Sequence, residues 1–375
     1  MFKVTGKALH YFAGGNTARG YFSLYESNFA ELEKIFILKG GPGMGKSTLM
    51  KKLANEWLEK GYDVEYIHCS SDPDSIDGVI FPALKIGIVD GTEPHVVEPK
   101  APGAIEEYVN LGHAWNSQQL VAEKAEILRL MKERQEAYER AYKYYAEALA
   151  VHDEWEEIYI ANMDFEKLNA LTGKLKTKFF GDIFLNKKAD VRHRFLGAAT
   201  PIGAVDYVPN LTEGLPKRYF LKGRPGSGKS TLLKKLATTA ENRGFDVEIY
   251  HCGFDPNSLD MVIVRELGMA IFDSTAPHEY FPSRAGDEII DLYKVAILPG
   301  TDEIYSDQIK DVSAIYRAKM NDGTASLSEA KKLHDEIEKI YQRAIDFTII
   351  DDIQKDMETD ILDLAKGNTI KSILH

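Results

Sequence analysis

Two octapeptides have the residue types and spacing of a phosphate cradle: GGPGMGKS at Gly40–Ser47 and GRPGSGKS at Gly223–Ser230. Both fit G-x-x-x-x-G-K-[ST]. In that motif glycines let the backbone wrap a phosphate with its N–H groups inward, the lysine meets β/γ-phosphate oxygens, and the hydroxyl meets Mg²⁺. The residues assigned to nucleotide are Gly40, Gly43, Met44, Gly45, Lys46, Ser47 and Thr48, with Gly223, Gly226, Ser227, Gly228, Lys229, Ser230 and Thr231. A short apolar run precedes each loop (IFILKG, RYFLKG). A helical pattern closed by glycine follows it (KSTLMKKLANEWLEKG, KSTLLKKLATTAENRG), the strand–loop–helix setting that this chemistry requires. A chance glycine-rich turn would not bring that setting with it twice. The expected ligand is a nucleoside triphosphate with Mg²⁺. IFLNKKAD (183–190) has one residue too many for a guanine-reading N-K-x-D and lacks a second copy, so ATP is the default.

A Mg²⁺ site also calls for a carboxylate at the end of a neighbouring strand. Asp90 in IGIVD and Asp273 in MAIFD occupy that position and are assigned, with Ser47 and Ser230, to the metal; an aspartate there is also an ordinary turn former. A T-x-P-H tetrad follows each. Its His95 or His278 could face the γ-phosphate or simply fix a loop. Asp72 in SSDP and Asp255 in GFDP are candidates to orient an attacking water, against the plain reading of an Asp-Pro turn. Glu93 cannot serve both sites, because Ala276 is its counterpart. The pairs His68-Cys69 and His251-Cys252 invite a zinc reading. Adjacent strand residues point to opposite faces, however, so packing and a local hydrogen bond are preferred.

The elements that must hold these groups also occur twice. From His10 and His193 to Gly103 and Gly286 the register is a constant 183 residues, and HDEWEEIY from His152 matches HDEIEKIY from His334 at an offset of 182. The chain therefore reads as two tandem domains, 1–187 and 188–375. In each, DVEYIHC or DVEIYHC predicts a second strand, DSIDGVIFPALK or NSLDMVIVREL a short helix, and IGIVD or MAIFD a third strand. That alternation means an α/β domain with a parallel sheet flanked by helices. Helical regions are expected at about 117–172 and 303–365. In the first, Leu120, Ile127, Met131, Tyr138, Ala141, Tyr145, Ala148, Trp155 and Tyr159 keep a 3-4 spacing, which predicts an amphipathic helix or hairpin whose stripe packs. In the second, NDGTAS at Asn321–Ser326 predicts a hairpin turn, so each domain is read with an appended helical hairpin.

Composition sets the class. The 375 residues are 44% hydrophobic and 28% charged, with a net charge of -12. That is the profile of a soluble globular protein, and its charge disfavours nucleic-acid and anionic-membrane partners. The expected location is cytoplasmic, because two cysteines make no disulfide framework and the start MFKVTGKALHYF lacks a signal-peptide core. An unknown protein partner or self-association is left open.

With these motifs placed, the chain resembles the additional-strand, RecA/KaiC-like division of the P-loop NTPases. GYDVEYIHCSSDP resembles the strand inserted there between the two Walker motifs, and GAVDYVPNLTEGLPKRYFLKGRPGSGKS resembles the approach to the loop in KaiC-like ATPases. Over both halves the chain also resembles an uncharacterised bacterial family of tandem P-loop ATPases. The resemblance implies a catalytic acid after the inserted strand, where this chain offers Asp72 and Asp255. Three functions follow: a Mg-dependent ATPase coupling two sites to a conformational change; a nucleotide or small-molecule kinase with Arg129, Arg134 and Arg140 as a phosphate lid; or a regulatory or scaffold protein that binds ATP without hydrolysing it.

Overall fold

The computed structural model describes residues 5–373. Its principal elements in chain order are β1 (Ala8–Phe12), β2 (Lys34–Lys39), α1 (Lys46–Glu59), β3 (Val64–His68), β4 (Ile76–Phe81), β5 (Ile86–Asp90), β6 (Glu106–Asn110), α2 (Lys124–Ile160) and α3 (Phe165–Phe180). They continue as β7 (Val191–Phe195), β8 (Lys217–Lys222), α4 (Lys229–Asn242), β9 (Val247–His251), β10 (Leu259–Val264), β11 (Met269–Asp273), β12 (Asp287–Asp291), α5 (Ser306–Gln342) and α6 (Phe347–Ile373). The chain forms two compact units. Among the described residues, one holds 5–14, Phe29–Glu139 and 326–373; the other holds Gly15–Asn28 and Arg140–Ala325.

In the first unit the strands hydrogen-bond in the order β1-β3-β4-β5-β2-β6. All neighbours are parallel except at β4, which runs antiparallel to both β3 and β5. The second unit repeats the pattern as β7-β9-β10-β11-β8-β12, with β10 antiparallel. Both units are thus mixed α/β with a mostly parallel sheet. The expectation of short helices at DSIDGVIFPALK and NSLDMVIVREL is wrong: these segments form β4 and β10, each closed by a single 3-10 turn. All six residues of β4 are buried, so neither a period of two nor one of 3.6 shows in its sequence.

Helix α1 explains itself more directly. Leu49, Met50, Leu53, Ala54 and Trp57 are its buried face, an apolar stripe at helical spacing. Gly61, at φ +90, then follows the last turn, the left-handed conformation that glycine adopts without strain. Its core also takes in Ile350, Met357 and Ile361 of α6. In the second unit the corresponding core around α4 takes in Leu168, Leu175, Phe179 and Phe180 of α3. The sequence leads one to expect a division at residue 187, but packing sorts the helices differently: α3 covers the strands that follow it, and α6 those at the start of the chain.

The turn expected at Asn321–Ser326 is also wrong, because α5 runs unbroken through it. A Cβ at Gly323 would lie 2.3 Å from Cε1 of Tyr145, a fully buried ring. The glycine serves close helix–helix approach instead of a turn. The chain turns at 343–346, as it does at 161–164 in the other helical region. The apolar stripe of α2 packs largely as expected: Ile127, Ala141, Tyr145, Ala148 and Tyr159 are buried, while Met131 is exposed. Among the described residues no helix is long and apolar enough to cross a membrane.

Candidate nucleotide-binding site

Each loop joins a buried strand to a helix start. Gly43 and Gly45 have φ of +67 and +80, and Gly226 and Gly228 have +70 and +86; side chains rarely adopt this backbone, which fixes why glycine stands there. Gly45 and Gly228 are the N-caps of α1 and α4 and offer no capping side chain, so the helix ends present bare N–H groups and positive potential. Met44 and Ser227 point inward: the Met44 sulfur accepts from the Gly41 N–H, and the Ser227 hydroxyl donates to the Arg224 carbonyl at 2.7 Å. Thr48 and Thr231 are exposed at the helix mouth.

The lysines fold back over their loops. Lys46 Nζ donates to the Gly40 carbonyl at 2.9 Å and to the Thr92 hydroxyl at 3.1 Å, and lies 3.2 Å from Asp90. Lys229 donates to the Arg224 carbonyl at 3.0 Å and lies 3.6 Å from Asp273. Asp90 and Asp273 also each accept the N–H and hydroxyl of the threonine two residues on. Ser47 Oγ accepts the Ile76 N–H at 3.0 Å, and Ser230 Oγ the Leu259 N–H at 2.9 Å. The starts of β4 and β10 are thereby held against the loops.

That contact brings in two carboxylates absent from the sequence reading, Asp77 and Asp260. Because β4 is antiparallel, its beginning lies level with the end of β5, and the Gly78–Val89 pairing puts Asp77 opposite Asp90. Asp77 is buried and sits 3.3 Å from the buried His95. Burial, aided by Asp273, pushes Asp260 up to about 6, with His278 pulling the other way. His278 Nδ1 lies 2.9 Å from Asp206, which also accepts the Tyr280 hydroxyl at 2.6 Å. Burial opposes charge on both partners. The hydrogen bonds nevertheless hold the Asp206 carboxyl below its ordinary range and the His278 imidazole above its own. Both histidines therefore face aspartates. Retention in both copies was the available signal for Asp77 and Asp260; the expected helix hid it.

Asp72 and Asp255 bind their own turns. Asp72 accepts the Asp74 N–H and the Ser75 hydroxyl and lies 3.5 Å from Lys331. Asp255 accepts the Asn257 N–H and pairs with Arg19 at 2.8 Å. His68 and Cys69 part company as strand alternation requires. His68 meets His10 at 2.9 Å, and burial drives it down to about 3. Cys69 lies with Asp77 and His95, their ligand atoms within 4.8 Å of one another, a set that could hold a metal. Burial first, then Asp77, pushes its thiol well up, so it favours the protonated form. Of the lid candidates, the exposed Arg129 is taken up by Glu126 and Glu133, and Arg134 meets the His334 ring.

One helix turn from elsewhere in the sequence completes each site. Gly43 N–H donates to Glu338 Oε1 at 3.2 Å, and Gly226 N–H to Glu156 Oε1 at 3.2 Å. These are matching positions of HDEIEKIY and HDEWEEIY.

A family model described as novel STAND NTPase 3 matches residues 27–90, from ahead of β2 to Asp90. The match supports a P-loop NTPase family and with it nucleotide binding. No curated protein and no solved structure matches the chain.

Proposed function

We propose that the chain is a tandem P-loop ATPase that binds Mg·ATP at both loops and couples binding or hydrolysis to movement of its helices. The observation that carries this reading is the same constellation at both loops: bare helix N-termini, a lysine drawn to an aspartate at a strand end, and a serine bonded to the backbone N–H just ahead of a second aspartate. The donor set suits a triphosphate, since backbone N–H groups and lysine supply positive potential. A divalent cation would neutralise phosphoryl oxygens, and Ser47 and Ser230 with Asp90, Asp273, Asp77 and Asp260 are the residues that would hold it or its waters. The strand order favours Asp77 and Asp260 for part of this role. β5 pairs directly with β2 and β4 lies one strand farther out, with Asp77 opposite Asp90, so both acids stand at the end of the sheet where the loop begins.

A regulatory protein that binds ATP and turns it over slowly is the second reading. It is favoured by Asp72 and Asp255 spending their carboxylates on local turns. Steady-state phosphate release decides between them. We expect Asp77→Asn with Asp260→Asn to lower turnover at least tenfold, and Asp72→Asn with Asp255→Asn to change it less than about threefold, the difference between an acid at the reacting phosphate and one in a turn. Turnover that falls only with the Asp72 and Asp255 changes would reverse these assignments.

A further inference from the structure

The motif presents its N–H groups to phosphate oxygens, yet one such donor in each loop is given to a carboxylate. Glu338 takes the Gly43 N–H and Glu156 the Gly226 N–H, both at 3.2 Å. The helices also lie close. A Cβ at Gly43 would come 2.9 Å from the Glu338 carbonyl oxygen, and one at Gly226 would come 2.5 Å from that of Glu156. Further along, Tyr341 covers Gly41, where a Cβ would lie 2.7 Å from its ring. The counterpart of Gly41 is Arg224, which pairs with Asp302 at 2.7 Å while Tyr159 donates to the same carboxylate at 2.9 Å. Histidines stand beside both glutamates, His334 at 3.5 Å from Glu338 and His152 at 3.8 Å from Glu156.

We propose that Glu156 and Glu338 are internal competitors for phosphate, and that nucleotide entering either loop must expel the glutamate and loosen the helix end that carries it. This rests on the P-loops being the nucleotide sites. A carboxylate and a phosphate want the same donor and repel each other at contact distance, so the two states exclude one another. A ligand shifts such an equilibrium only by its differential affinity, and here that difference is the donor it recovers. The Arg224–Asp302–Tyr159 latch has no equal at Gly41, so the second loop releases its helix less readily than the first.

The test is calorimetric titration of a non-hydrolysable Mg·ATP analogue into the full chain. Glu338→Gln and Glu156→Gln keep the shape and remove the charge; each should tighten binding at its own loop about tenfold, equal to about 1.4 kcal/mol. Equal or weaker binding in both, with binding at each loop still weakened at least tenfold by Lys46→Ala plus Lys229→Ala, would overturn the competitor role and leave the P-loop assignment standing. Undiminished binding in the double lysine variant would overturn the assignment itself. Wild-type protein supplies an independent readout. Trp155 precedes Glu156, and its indole nitrogen is shut away from solvent. Added analogue should increase quenching of its fluorescence by acrylamide, measured against a Trp155→Phe control; unchanged quenching at saturation would overturn the release.

Discussion

At the scale of single residues, nucleotide binding turns on which charges the two loops gather. Lys46 and Lys229 are each held by a carbonyl and an aspartate, contacts that a triphosphate would replace with stronger charge-assisted ones. Losing such a bond is worth about 1.5–3 kcal/mol, so either lysine-to-alanine change should weaken binding at its loop by roughly ten- to a hundredfold. Asp260 makes a separate, pH-dependent prediction. Its carboxyl is raised from 3.8 to about 6 in the folded chain, mainly by burial, so the folded state favours the protonated form. The stability this brings is fully present below the unfolded value and is lost as pH rises through about 6. Melting temperatures of wild type should therefore fall relative to Asp260→Asn across that window; parallel curves would show that Asp260 does not titrate there. The loop residues were legible because their chemistry is local. Asp77 and Asp260 were not, because their proximity to the loops depends on the direction of a strand.

At the scale of elements, what the sequence concealed has two physical causes. β4 and β10 are buried along their whole length, and full burial erases the periodicity from which strand and helix are told apart. NDGTAS carries turn-forming residues, yet its glycine is retained for contact with Tyr145 inside a continuous helix. An exposed helical glycine gains up to about 1 kcal/mol when changed to alanine. At Gly323 the added methyl would meet a buried ring, and overpacking costs about 1–3 kcal/mol. Gly323→Ala should accordingly lower the thermal midpoint; a rise would mean that the ring yields freely and that helix propensity governs the position.

At the scale of the whole molecule, the offset of 183 residues was readable, and the strand order of the two units repeats with it. The pairing of helices with loops was not readable. An amphipathic stripe announces that a face is buried but carries no address for its partner, so nothing in HDEWEEIY or HDEIEKIY tied Glu156 to Gly226 or Glu338 to Gly43. The central claim is that both loops bind nucleotide, and stoichiometry tests it most directly. Equilibrium titration of Mg·ATP analogue should give two sites per wild-type chain, one high-affinity site in each of Lys46→Ala and Lys229→Ala, and none in the double variant. Two undiminished sites in the double variant would contradict the account.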